Sequence, residues 1–287
     1  MGDAKRLIVK PIAASDAKRI IQSLHYSGKT TVGSQLHLGV FLDGKCGGAM
    51  QFGPSLDKRR MVGLVHGTLW NEFLELNRMA FADWLPRNGE SRAIGYAFRW
   101  MKKQYPQIKW VVSFSDGTQC GDGTIYRASG FSLIGIKANK EILQAPSGEV
   151  FNYTSIKPNI GGSVAIANAR RVLAKTATID DAKETGASSV KKYTSAGWVV
   201  MPGFQLKYIY FLDPTARQRL TVPILPFSEI DRRGAGMYKG KPRVRSVDSD
   251  TSGDQPEMGG ANPTRTLFIS SPASSVRHPD TVSDPVP

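Results

Sequence analysis

Polar and apolar positions alternate along Phe73–Phe81 and predict a β-strand. Phe73, Glu75, Asn77, Met79 and Phe81 fall on one side, and Leu74, Leu76, Arg78 and Ala80 on the other. Neither side is purely apolar. Polar groups set among buried aromatics need partners or line a cleft; a strand with one solvated side is the plainer alternative. The period then becomes helical, with Ile94, Tyr96, Ala97, Phe98, Trp100 and Met101 on a segment reaching about Gln104. A continuous apolar run at 108–114 reads as a second strand, ending in Ser115, Asp116 and Gly117. A glycine-rich turn and a short helix from about Thr124 close on Gly130 and Phe131. Residues 71–131 are therefore expected to form a small α/β ligand-binding unit.

The flanking chain supplies more strands. Residues 7–12 form the first, and a helix with Ala17, Ile20, Ile21 and Leu24 on one face follows, capped by Ser15 and ending at His25 and Tyr26. Leu36–Leu42 and residues 46–52 form a hairpin around Asp43 and Gly44. Residues 133–136, 149–153 and 198–212 read as later strands, the last broken at Pro202 and Gly203. Residues 155–196 turn to Gly, Ala, Ser and Thr with scattered Arg and Lys, including a candidate helix at 164–174. They are expected to be a basic insertion lying along a polyanion, or a passive linker. Residues 1–240 are expected to form one domain and 241–287 a disordered tail.

Charge changes the picture. The net charge is +14. Residues 241–287 carry five basic and six acidic side chains, so the excess belongs to the folded body. A basic body points to a polyanionic partner, most simply nucleic acid. Lys58, Arg59 and Arg60 form a candidate phosphate-contacting cluster, with a solvated charge run as the alternative. Two cysteines make no disulfide scaffold, and the absence of CxxC speaks against structural zinc. No membrane-length apolar run or leader-like segment occurs, so a soluble, cytoplasmic protein is expected.

Several groups are placed for chemistry. Arg87, Asn88, Gly89, Ser91 and Arg92 open the helix that follows the first strand, where free amides and the positive dipole end favour an anion. Gly89 would let a ligand approach the backbone; an ordinary cap by Asn88 or Ser91 is the alternative. Ser115 and Asp116 end a strand, where α/β sheets face their ligands; Asp116 is a candidate base or metal ligand, or the cap of the next turn. Tyr126 is a candidate proton donor or a core tyrosine. His25 and Tyr26 either form a cleft wall or place a histidine on free helix carbonyls. His25, His66, Asp116 and Glu75 are the metal-ligating candidates, with no spacing that compels a site.

The element order, with a turn before the third helix and Tyr126–x–x–x–Gly130–Phe131 in the last, resembles the GNAT fold of acyl-CoA-dependent N-acetyltransferases. The phrases HYSGK, QFGP, NEFLELNRM, NGESRAI, SFSDG, GTIYRASGF, MPGFQLKYIYFLDP, LPF and GAGMYKG together resemble the Mom family of phage DNA-modification proteins. That resemblance implies an α/β fold of the α+β sandwich kind, with a mixed, mostly antiparallel central sheet flanked by helices. It implies conversion of the adenine N6 amine in double-stranded DNA to N6-carbamoylmethyladenine, which protects phage DNA from restriction. A small-molecule group donor is implied, either an acyl-CoA or a related compound. The new group attaches through a CH₂ rather than a carbonyl, so simple acyl transfer does not make it; another donor, a further step or a metal such as iron would be needed.

In that frame Asn77 and Arg78 are expected to orient substrate or donor. Residues 87–92 would hold a donor phosphate or DNA backbone. Ser115 and Asp116 would engage the amine with Asp116 as base, and Tyr126 would act as acid. Tyr26, Phe52 and Trp84 are candidate stacking partners for a flipped base. The rival expectations are a conventional GNAT acetyltransferase acting on a small amine or protein lysine, and a non-catalytic DNA-binding protein.

Overall fold

The computed structural model describes residues 3–25, 30–31, 33–118, 121–156, 164–176, 190–238 and 241–242. Contacts divide the chain into Met1–Val244 and Arg245–Pro287, and every described residue lies in the first unit. The expected tail and Tyr26 therefore lie outside the described residues, apart from Lys241 and Pro242 in a two-residue ribbon strand.

Seven strands make one sheet: β1 (Ile8–Pro11), β2 (Leu36–Leu42), β3 (Lys45–Gly53), β4 (Phe73–Phe81), β5 (Trp110–Asp116), β10 (Phe204–Phe211) and β6 (Ser132–Ala138), side by side in that order. Every neighbouring pair is antiparallel except β4 and β5. Helices cover both faces, giving the mixed, mostly antiparallel α+β sheet that the resemblance implies.

On the upper face lie α3 (Gly89–Gln104) and α4 (Thr124–Ala128). The apolar stripe of α3, with Ala93, Ile94, Ala97, Phe98 and Met101, packs on Val40, Phe52, Leu76, Val111 and Tyr208. That spacing is the helical period read from the sequence. On the lower face α1 (Ala14–Leu24) sets Ala17 and Ile21 against Ala49 and Ala80. α2 (Lys58–Val62) sets Met61 into a second lower core with Phe73, Trp110 and Val112, where the Phe73 and Trp110 rings stack at 4.3 Å. α1 starts two residues earlier than expected: Ala13 is its cap, without a side-chain bond, and Ser15 lies inside the first turn.

The described part of 155–196 is not an unpacked linker. β7 (Ile142–Gln144) is flanked by β8 (Val150–Asn152) and β9 (Val199–Val200) in a small sheet. Together with α5 (Tyr153–Ile156), α6 (Val164–Thr176) and α7 (Val190–Ser195), it buries a core of Leu143, Tyr153, Ile156, Val172, Tyr193 and Trp198. α8 (Ser228–Arg232) buries Ile230 in the upper core.

Candidate active site

β4 and β5 pair over only three positions, Phe73 with Trp110, Leu74 with Val111 and Glu75 with Val112. Beyond them the two strands part, so backbone groups there need other partners. Side chains supply them. Ser113 Oγ donates to the Leu76 carbonyl (3.3 Å) and Tyr126 OH to the Phe114 carbonyl (3.4 Å). The opening between β4 and β5 is thus lined by hydroxyls on the upper face.

On the lower face a bulge makes the site. Gln51 pairs with Arg78, yet Phe52 pairs with Leu76, so Asn77 is the extra residue of β4. The bulge shifts the alternation, and Glu75 and Arg78 come to one face where simple alternation sets them on opposite sides. Asn77 Oδ1 accepts from Ser34 Oγ (3.1 Å) and its Nδ2 donates to the Pro54 carbonyl (3.3 Å). Gly53 admits it: a Cβ there would stand 2.8 Å from Asn77 Oδ1.

Glu75 sits beside this bulge. Burial raises its carboxyl above the ordinary range, against the opposing pull of hydrogen bonds from Ser55 and Asn77 and of the Arg78 charge. A carboxylate with a raised pKa in a polar niche has the properties of a general base. Arg78 Nη1 donates to the Asn77 carbonyl (2.7 Å), while its Nε is buried with no hydrogen-bond partner among the described residues. Gln51, across the ladder from Arg78, holds His37 Nδ1 at 3.4 Å through Nε2, and its Oε1 is likewise buried with no hydrogen-bond partner among the described residues.

His25 closes this side at the end of α1. Burial, and then the Arg78 charge, lower its ring to about 4. Held that low by burial and then by the Arg78 charge, the ring is neutral at physiological pH.

Ser115 and Asp116 do not converge. Adjacent strand residues point to opposite faces. Ser115 Oγ donates upward to the Gly121 carbonyl at 2.8 Å. Asp116 Oδ1 accepts from the Thr118 amide at 3.0 Å and from Asn139 Nδ2 at 3.3 Å. Through Oδ1, Asp116 holds the turn after β5, as the capping alternative expects. Tyr126 is buried against Phe131 and Tyr208, its ring 5.1 Å from the latter.

At the start of α3 the Gly89 amide donates to the Pro86 carbonyl (2.8 Å) and the Arg92 amide to the Asn88 carbonyl (3.1 Å). Gly89 is buried, and its Cα hydrogens face Leu7, Leu85 and Pro86. Asn88 gives no side-chain cap, and Ser91 Oγ donates to the Asn88 carbonyl rather than accepting an amide. Arg87 and Arg92 are exposed at this helix start.

The four metal-ligating candidates are not brought together. Among the described residues, no three His, Cys, Asp or Glu side chains gather closely enough to hold a metal ion. Phe52 is withdrawn as a stacking partner because it is fully buried beneath Phe98. Trp84 is 42 % exposed, with Lys45 Nζ 4.6 Å from its ring. Arg59 and Arg60 are exposed on α2, and Lys58 Nζ lies 4.6 Å from the Trp70 ring. No described helix is long and apolar enough to cross a membrane.

The Mom protein family model matches residues 6–229. The chain belongs to the Mom family. It is 33 % identical over 223 residues to the methylcarbamoylase Mom of Escherichia phage Mu, covering 77 % of this chain and 82 % of that one. Among solved structures it is similar to the ribosomal-protein-S18-alanine N-acetyltransferase of Escherichia coli (TM-score 0.35, 13 % identity, 50 % of this chain and 88 % of that one). It is also similar to a GNAT-family acetyltransferase of Bacillus anthracis (TM-score 0.35, 10 % identity, 74 % and 99 %).

Glu75, Gln51, Ser34 and Ser55 are the site residues that sequence reading passed over as a group. The signal was present in Gly53, a glycine at the end of a strand opposite a polar stretch, which marks a bulge or a close approach.

Proposed function

We propose that this chain is a phage DNA-modifying transferase that converts the N6 amine of adenine in duplex DNA to its N6-carbamoylmethyl derivative and so shields DNA from restriction nucleases. Family membership and the methylcarbamoylase relative support the reaction class. The +14 charge supports a polyanionic substrate.

The observation that carries the reading is the lower-face niche. Gln51 and Arg78 face each other across the β3–β4 ladder, and Gln51 Oε1 and Arg78 Nε are each buried with no hydrogen-bond partner among the described residues. An adenine edge offers the complement, an N6–H donor beside a ring-nitrogen acceptor. Gln51 would accept one N6–H and Arg78 would donate to the ring nitrogen. When the N6–C bond forms, N6 must lose a proton, and Glu75 would take it. Asn77 would hold Glu75, and Ser55 would release it as the charge changes. The donor would enter from the upper face through the gap between β4 and β5, past Ser115 and Tyr126, and supply an electrophilic CH₂C(O)NH₂ group whose leaving group departs with the bonding electrons. Arg87 and Arg92 would meet an anionic part of the donor or the DNA backbone, and Lys58, Arg59 and Arg60 the phosphates. An N6 substituent projects into the major groove, where nucleases read sequence.

Expression in restriction-deficient bacteria, followed by mass spectrometry of digested DNA, tests this directly. A modified deoxyadenosine with the carbamoylmethyl mass increment is expected for the wild type and a fall of ~10²-fold for Glu75→Gln. Unmodified DNA in wild-type cells would refute the assignment.

A further inference from the structure

Leu56 is 95 % exposed, more than any other large apolar side chain among the described residues. It is also held firmly. On one side the Pro54 carbonyl accepts from Asn77 and the Ser55 side chain bonds Glu75. On the other, Asp57 Oδ1 accepts the Arg60 amide and caps α2. A bare leucine is thus pinned by both neighbours, one of which touches the carboxylate of the site. Around it the surface is cationic: Lys58, Arg59 and Arg60 follow directly, and Lys207 lies close enough to Arg60 for repulsion to help lower its pKa after burial has done most of it.

We propose that Leu56 is a wedge that enters the base stack of duplex DNA and fills the space vacated by the flipped adenine. This rests on the DNA-modification reading. An enzyme that works on a base amine inside a duplex must extrude that base, and the vacancy costs a few kcal/mol of lost stacking. Apolar wedges such as leucine enter base steps for this purpose. Ser55, whose side chain bonds Glu75, directly precedes Leu56, so a wedge at Leu56 would stand next to a base held at Glu75. The neighbouring cations would hold the phosphates on either side while the stack opens.

The test separates the wedge from the reaction. Duplexes carry 2-aminopurine at the adenine position found modified in the wild-type cells' own DNA. The wild type is expected to raise 2-aminopurine fluorescence on binding; Leu56→Ala should bind within about twofold by anisotropy yet give less than a tenth of that rise. Leu56→Phe should restore it. Opposite an abasic site, where the base is already loose, both proteins should give the full rise. In cells, Leu56→Ala should lower the modified adenine count at least tenfold. Equal fluorescence and equal modification by Leu56→Ala would overturn the wedge while leaving the DNA-modification reading intact. So would a wild type that modifies DNA without any rise. Unmodified DNA in wild-type cells would overturn both.

Discussion

Glu75 and Arg78 share one face of the sheet because Asn77 between them is a bulge, and each charge acts on the other within a half-buried niche. Burial pushes the Glu75 carboxyl up and Arg78 draws it back. Replacing Arg78 with methionine removes one of the pulls that oppose burial, leaving those of Ser55 and Asn77, so the carboxyl rises further and stays protonated to a higher pH. A base works deprotonated, so the acid limb of the pH–rate profile should move to higher pH. The rate at pH 7 should fall on the order of tenfold and recover in part as pH rises. Rates measured across buffers in a bacterial extract that supplies the donor check this. A uniform loss at every pH would assign Arg78 to adenine contact alone.

Glu75 should also cost stability. Its folded pKa is raised, so the folded chain holds this proton more readily than the unfolded one. The stability linked to that proton is present below the unfolded value and is lost as pH rises through the folded one. Glutamine keeps hydrogen-bonding capacity and cannot ionise. Glu75→Gln should therefore melt at a higher temperature than the wild type at pH 7.5, with the difference shrinking towards pH 4, while modification is lost. Thermal unfolding by circular dichroism at both pH values reads this.

Asp116 separates a structural role from a chemical one. Its Oδ1 serves the Thr118 amide and Asn139. Asn can accept the same amide bond but cannot act as a base. Asp116→Asn should keep most of the modification activity, whereas Asp116→Ala should destabilise by ~1 kcal/mol for each hydrogen bond lost. Loss of activity in a fully folded Asp116→Asn protein would return Asp116 to the chemistry.

The helical period was legible where one face is buried, as in α3, and the hairpin of β2 and β3, whose second strand is buried on both faces, was legible from its Asp43–Gly44 turn. The site was less so, for a definite reason. Period-two reading puts Glu75 with Asn77 and opposes Arg78; one inserted residue reverses that, and an insertion leaves no mark in polarity. Ser115–Asp116 drew attention as polar residues at a strand end, but their partners, Gly121 and Asn139, are set by loop paths that local sequence does not encode. The packed core at Tyr153, Tyr193 and Trp198 was hidden by the small and polar residues between its members.

His25 gives a pH test of the niche that needs no substrate. Its ring titrates at about 4 in the folded chain, against an ordinary 6.5, through burial and then the Arg78 charge. Between those values the unfolded chain binds a proton that the folded chain refuses, so stability falls as pH drops from about 6.5 towards 4. A shift of that size corresponds to ~3 kcal/mol at most, and partial exposure of the ring reduces it to roughly 1–2 kcal/mol. Glutamine does not titrate. The wild type should therefore lose about 1–2 kcal/mol more stability than His25→Gln between pH 7 and pH 4.5. Urea unfolding of both proteins at the two pH values measures this, and groups remote from His25 cancel in the double difference. Parallel losses would place the His25 ring in water, away from Arg78, and would take the wall of the niche with it.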